Sequence, residues 1–254
     1  MKRLIINADD FGYDKDTLNS TIKLFEQGIL TSATIMTDMS ATDKAIEFAK
    51  ENQDRYSFGL HFNIVDGHEA HYPNTSLTLE DTSLFRKSNE QRMYALKYKF
   101  EKIDIQQEFE YQLTSLLDAG VEVSHIDSHG HLHKFPQIIQ AITPIMHKYH
   151  IHKVRRPQNK FQLTSIRKSI VNSMFDVFFP NEMTTDIFFM LENHENIPYL
   201  KKFFSSIEDG VTELGIHPGT IEDWRKKELD FFSDNDALEQ FGSLGIELVN
   251  WNDV

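Results

Sequence analysis

Short apolar runs rich in β-branched residues alternate with helix-patterned stretches from end to end of this 254-residue chain, and that alternation restricts the fold more than any other feature. Two strands joined through a helix pair in parallel, with the helix as the crossover. Leu4–Asn7, Ala33–Thr37, Ser57–Asn63, Glu122–Ile126, Lys153–Arg155, Ile187–Leu191 and Val211–Ile216 read as strands or extended segments. Helices are expected over Asp16–Gln27, Thr42–Glu51, 89–101, 105–118, Gln137–Tyr149, Thr164–Met174 and Pro198–Ile207, with a last helix–strand pair over 236–250. Gly28 and Gly120 stand where helices end, Pro136 suits a first helical turn, and Ser40 with Asp43 has capping-box spacing. About seven such units favour an α/β (β/α) barrel, TIM-barrel-like and irregular with seven strands; a doubly wound open sheet is the alternative. No Pro/Gly/Ser-rich linker divides the chain, so residues 1–254 read as one domain.

Charge narrows the partners. With 26 Lys+Arg against 39 Asp+Glu, the formal charge of −13 disfavours phosphate backbones and anionic membranes. Cys is absent, which excludes thiol catalysis, disulfides and Cys-type zinc fingers. The apolar run after Met1-Lys2-Arg3 is only Leu4-Ile5-Ile6, too short for a signal peptide, and no stretch approaches the roughly 20 apolar residues of a membrane span. A cytoplasmic protein is expected.

In such folds the chemistry gathers at the carboxyl ends of the strands. Here those ends carry carboxylates and imidazoles. The first runs into Asn7-Ala8-Asp9-Asp10-Phe11-Gly12, the third ends Gly59-Leu60-His61-Phe62-Asn63, and a later one ends Gly215-Ile216-His217-Pro218-Gly219. The richest is His125-Ile126-Asp127-Ser128-His129-Gly130-His131-Leu132-His133. In extended conformation its odd positions share one face, bringing four imidazoles and a carboxylate together. A solvated His-rich loop is the plainer alternative there, as are turn formation for Asp9-Asp10 and core or turn roles for His61 and His217. Two His and one Asp with open positions suit a catalytic divalent ion. Imidazole ligation favours Zn²⁺ or Co²⁺, whereas Mg²⁺ prefers oxygen ligands.

These blocks, together with Gly28-Ile-Leu-Thr-Ser-Ala-Thr34, Val154-Arg-Arg-Pro157 and Glu213-Leu-Gly-Ile-His-Pro-Gly219, occur in an order that resembles the YdjC/ChbG family of carbohydrate deacetylases. The resemblance runs from about residue 4 to 230 and takes in Arg225 and Glu228-Leu229. It implies a barrel related to the polysaccharide deacetylases that removes N-acetyl groups from amino sugars such as chito-oligosaccharides. It also implies one divalent metal (Mg²⁺ by family precedent) held by Asp10, His61 and His129. Asp9 is then the general base with Arg155 beside it, and His217 the general acid, with His131 a rival. Phe11, Phe62, Tyr72 and Trp224 are candidates to stack on sugar rings, while His125, Asp127 and His131 are candidates to support the site. The selectivity of the site is expected in the polar loop at 66–88, and a homodimer fits the precedent. Gly130 departs from the resemblance, since many members carry His there. Two rivals from other classes are a non-catalytic, metal-dependent sugar-binding or regulatory protein and a His/Asp-ligated Fe(II) oxygenase.

Overall fold

The computed structural model describes residues 1–254 apart from 67, 163–173, 176, 180, 181 and 234–236. Among the described residues seven strands form one parallel sheet: β1 (Lys2–Phe11), β2 (Ser32–Ile35), β3 (Ser57–Phe62), β4 (Val123–Ser128), β5 (Ile187–Met190), β6 (Gly210–Ile216) and β7 (Ile246–Leu248). The described helices are α1 (Lys15–Glu26), α2 (Thr42–Asn52), α3 (Ser88–Leu96), α4 (Lys102–Asp118), α5 (Pro136–Lys148), α6 (Tyr199–Ser205), α7 (Asp223–Ser233) and α8 (Ala237–Ser243), with short 3₁₀ turns between.

Six strands lie in the order β4-β3-β2-β1-β6-β5, and β7 joins the start of β1 at Lys2–Ile246. Round this sheet β1 to β4 and then β5 and β6 follow chain order, and β6 returns to pair with β1. Isolated parallel bridges Ile126–Val154 and Lys153–Met183 carry the curl from β4 towards β5. The result is the irregular seven-stranded (β/α) barrel that the alternation predicts, and not a doubly wound sheet.

Every residue of β1 from Leu4 to Phe11 is buried, as parallel strands covered on both faces require. Leu4, Ile6 and Ala8 belong to the large core beneath the helices, whereas Ile5 belongs to a small inner cluster with Val211, Val249 and Trp251. That inner cluster is the barrel's floor. Above it the interior is polar, because Asn7, Thr34, Asp127, Arg155 and Glu213 bond to one another across it. The site is therefore built inside the barrel, on top of an apolar plug.

Asp14 caps α1 and accepts from the Thr17 N–H, and Pro136 opens α5. The capping box expected at Ser40 is not formed. Ala41 precedes α2 without a side-chain cap, because Ser40 donates to the Tyr13 carbonyl and Thr42 Oγ1 accepts from the Met39 N–H. The helix expected over 89–101 ends at Leu96, and the one over 164–174 falls almost wholly outside the described residues. The loop at 66–88 is more than a polar excursion: it carries the bridges Glu69–Leu84 and Thr78–Phe85 and buries Ala70, Leu77 and Phe85. Among the described residues no helix is long and apolar enough to cross a membrane.

Candidate metal centre and active site

β1 delivers both aspartates to the carboxyl end of the sheet. Asp10 adopts φ 60°, a left-handed conformation tolerated by Asp, which breaks the strand alternation and lets neighbouring carboxylates serve one site. Asp10 Oδ1 lies 3.1 Å from His61 Nε2 and 2.8 Å from His129 Nδ1, and Oδ2 accepts from Arg225 at 2.6 Å. One ligand atom from each of Asp10, His61 and His129 falls within 4.8 Å of the others. The other nitrogen of His61 is held 2.7 Å from Asp127 Oδ1, and Thr34 donates to the second Asp127 oxygen at 3.1 Å. A carboxylate behind an imidazole fixes the ring and its tautomer, as in many metal sites. His129 is a quarter exposed, so this centre opens to solvent.

Asp9, Asp127 and His61 form a second possible ligand set within the same distance. Its electrostatics are poorer for a cation. The Arg155 guanidinium donates to both Asp9 oxygens at 2.7 and 2.8 Å, lies 2.6 Å from Asp127 Oδ2, and donates through Nε to Glu213 at 2.8 Å. Positive charge is already supplied there. Across the interior, the guanidiniums of Arg155 and Arg225 and the imidazoles of His61, His129 and His217 stand among Asp9, Asp10, Asp127 and Glu213. A site with one carboxylate and two imidazoles fits a divalent cation at Asp10, His61 and His129.

The proton affinities follow from these contacts. Burial alone would raise Asp9 and Asp10, but Arg155 holds Asp9, and His129 with His61 hold Asp10, well below the usual carboxylate range. Burial opposes a charge on His61, yet Asp127 and Asp10 raise it to about 10. Glu213, buried beside Asp127 and Asp9, is pushed up to about 7 despite Arg155.

On the far side, His217 Nε2 lies 3.7 Å from Asp9 Oδ2. Its backbone N–H donates to Glu228 Oε2 at 2.5 Å, while Glu228 Oε1 is 3.1 Å from His194 Nδ1. Burial lowers the affinity of His217 for a proton, but Glu228 and Asp9 outweigh it and raise it overall. The Trp224 ring stands 5.3 Å from the His217 ring, walling this flank.

Asp9, Asp10, His61, Asp127, His129, Arg155 and His217 thus converge, with Trp224 alongside. Other expected positions do not. Phe11 packs among Phe25, Phe48 and Phe58, and Phe62 against Phe109; both are fully buried core residues that no sugar can reach. His125 points inward, but one layer too low, stacked on Trp251 at 4.5 Å in the floor. The single face expected from 125 to 133 is broken because Gly130 and His131 both turn left-handed after β4. His131 then meets the Phe188 edge at 5.7 Å, and His133 folds back to 2.7 Å from Ser128 Oγ. Burial holds His131 well below the ordinary histidine range. Gly130 has φ 65°, and a Cβ there would come 2.8 Å from Ser88 Oγ, so a bulkier residue needs the Ser88 hydroxyl to turn aside and takes on a left-handed backbone. Tyr72 lies exposed on the rim beside a cleft of about 520 Å³ lined by Asp38, His68, Glu69 and His71.

Four contributors received no role from the sequence. Glu213 follows Val211 at strand period on the inner face, and Arg225 and Glu228 share one face of α7 at i, i+3 spacing, so both were readable patterns. His194 had no local signal.

A profile described as the YdjC-like protein family matches residues 3–242. A carbohydrate deacetylase of Thermoanaerobacter pseudethanolicus is 26% identical over 99% of each chain. One of Brevibacillus brevis is 32% identical over 61% of this chain and 59% of its own. Among solved structures, a protein of Enterococcus faecalis V583 named for cellobiose-phosphate cleavage superposes with a TM-score of 0.78, covering 99% of this chain and 98% of its own at 22% identity, and so shares the fold. The profile spans nearly the whole chain, which therefore belongs to the YdjC-like protein family.

Proposed function

We propose that this chain is a metal-dependent deacetylase, acting as one unit over its whole length, that hydrolyses N-acetyl groups on amino sugars such as chito-oligosaccharides. The observation that carries the reading is the convergence of two sets at the strand ends: Asp10, His61 and His129 as ligands, and Asp9 with His217 as a proton-handling pair 3.7 Å apart. Full-length similarity to proteins named carbohydrate deacetylases supplies the substrate class.

Asp10, His61 and His129 would hold a divalent cation, which would supply Lewis-acid polarisation of the acetyl carbonyl and lower the pKa of water beside it. Asp9 accepts the proton of the attacking water, and Arg155 keeps it ionised and fixed in orientation. His217, whose proton affinity is raised beside Glu228, then protonates the departing amine, which leaves poorly as an anion. His131 is ill suited to that role, since burial keeps it neutral. Asp127 and Thr34 hold the His61 ring in place. Trp224 offers a ring face at the flank.

The test is acetate release from diacetylchitobiose and longer chito-oligosaccharides, after chelator dialysis and separate readdition of Mg²⁺, Zn²⁺ and Co²⁺. Release restored by metal is the expected result and ranks the ions. A chain that binds metal yet releases no acetate from any acetylated sugar overturns the reading.

A further inference from the structure

A second cluster of metal-ligating side chains lies away from the active centre. His147 sits in the last turn of α5, His152 immediately precedes the extended segment that carries Arg155, and Glu182 leads towards β5. One ligand atom from each lies within 4.8 Å of the others. His147 Nε2 is 2.7 Å from Glu182 Oε1, and the two imidazole rings stand 4.9 Å apart. The Glu182 side chain is only 2% exposed, yet its Oε2 has no hydrogen-bond partner among the described residues. Burying a bare carboxylate oxygen is unfavourable unless something else satisfies it. His152, by contrast, is exposed, so the cluster is open to ions from solvent.

The backbone sets this geometry firmly. The Met183 N–H donates to the His152 carbonyl at 2.8 Å, and the Val154 N–H donates to the Met183 carbonyl at 3.1 Å. These bonds hold His152 and Glu182 on adjacent extended segments, with the end of α5 beside them. Here, at the seam between β4 and β5, the isolated bridges Ile126–Val154 and Lys153–Met183 stand in for continuous strand pairing among the described residues. The position is at the amino-terminal side of the strands, near the floor, where Lys153 Nζ donates to the Trp251 carbonyl. That end of a barrel serves stability, whereas chemistry occupies the other.

We infer that His147, His152 and Glu182 form a separate site for a divalent ion of the zinc class, which clamps the barrel's seam. Two imidazoles and one carboxylate favour Zn²⁺, Co²⁺ or Ni²⁺ over Mg²⁺ or Ca²⁺, which seek oxygen ligands. The ion satisfies the bare Glu182 oxygen and joins α5 to both segments of the seam. It takes no part in the reaction.

The test is a Zn²⁺ titration of the chelator-stripped full chain by calorimetry, with unfolding temperatures measured alongside. Wild type should bind two equivalents, and the His147→Ala/His152→Ala chain one. Zn²⁺ should raise the unfolding midpoint less in that variant, and Mg²⁺ should leave the second equivalent unfilled. Both replaced residues reach the surface, and circular dichroism checks that the variant is folded. The variant binding as many equivalents as wild type overturns the inference. His129→Ala separates the two readings: it should lose the other equivalent. If it loses none while His147→Ala/His152→Ala loses one, the proposed catalytic centre fails and the seam site stands; the opposite pattern removes the seam site alone.

Discussion

Replacing Asp9 by Asn keeps the shape of the side chain and removes its charge, which separates a base from a ligand. In the folded chain Asp9 takes both Nη donors of Arg155 and the Asn7 amide, and the guanidinium also serves Asp127 and Glu213. Removing one partner of a buried ion pair typically costs about 3–5 kcal/mol when the other is left bare. Arg155 is not left bare here, and one of three clustered carboxylates is neutralised. The loss of stability should therefore stay below about 2 kcal/mol. The rate should fall far more. A general base contributes about 10²–10⁴-fold, or about 2.7–5.4 kcal/mol of barrier. Acetate release at saturating and limiting substrate should show the loss in kcat with little change in KM, and metal content after desalting should match wild type. Because Arg155 holds Asp9 so far down, the wild-type activity should show no acid limb from this group above pH 4 or so. If Asp9→Asn loses metal while Asp10→Asn keeps it, the ligand set is the one containing Asp9 and Asp127. If it keeps more than about a tenth of the wild-type rate, Asp9 is not the base.

Other consequences follow from the same contacts. Asp127→Asn weakens the hold on His61 and should reduce affinity for the activating metal about 10–100-fold in a calorimetric titration; unchanged affinity would show that the orienting bond is idle. Burial depresses His133 to about 3, so it stays neutral when folded and takes up a proton only on unfolding. Its contribution is full above about pH 6.5 and is lost as pH falls towards 3, about 2 kcal/mol by pH 5. His133→Asn should lessen the drop in urea stability between pH 7.5 and 5 by that amount, and an unchanged drop contradicts the assignment. Trp251→Ala empties the floor beneath His125 and should cost about 3–5 kcal/mol in urea unfolding; a loss under about 1 would mean that the plug bears little weight.

Much of the site was legible because strand ends are legible. Asp9, Asp10, His61, Asp127, His129 and His217 stand at or beside the ends of short apolar runs, and parallel strands bring such ends together whatever the details. Arg155 was reachable only through family resemblance, since nothing local marks a lone arginine as the partner of three carboxylates. His194 and the cluster of His147, His152 and Glu182 were out of reach for the same reason: their neighbours come from distant parts of the chain.

The alternation of apolar runs with amphipathic stretches was sufficient by itself to specify an α/β fold of parallel strands, since period and length select element type and crossovers force parallel pairing, and the tertiary structure decided for the barrel over the doubly wound sheet. The block of imidazoles after β4 pointed to that strand end as part of the candidate site. The tertiary structure alone decided which imidazoles belong to it. Two left-handed residues, Gly130 and His131, ended the strand's alternation and kept His129 in the centre while turning His131 and His133 away. Register placed His125 one layer lower, against Trp251 from the far end of the chain. Phe11 and Phe62 look like sugar-stacking rings beside the motifs, yet they turn outward beneath the helices, because a parallel strand is buried on both faces and its sequence does not say which face is the barrel's interior.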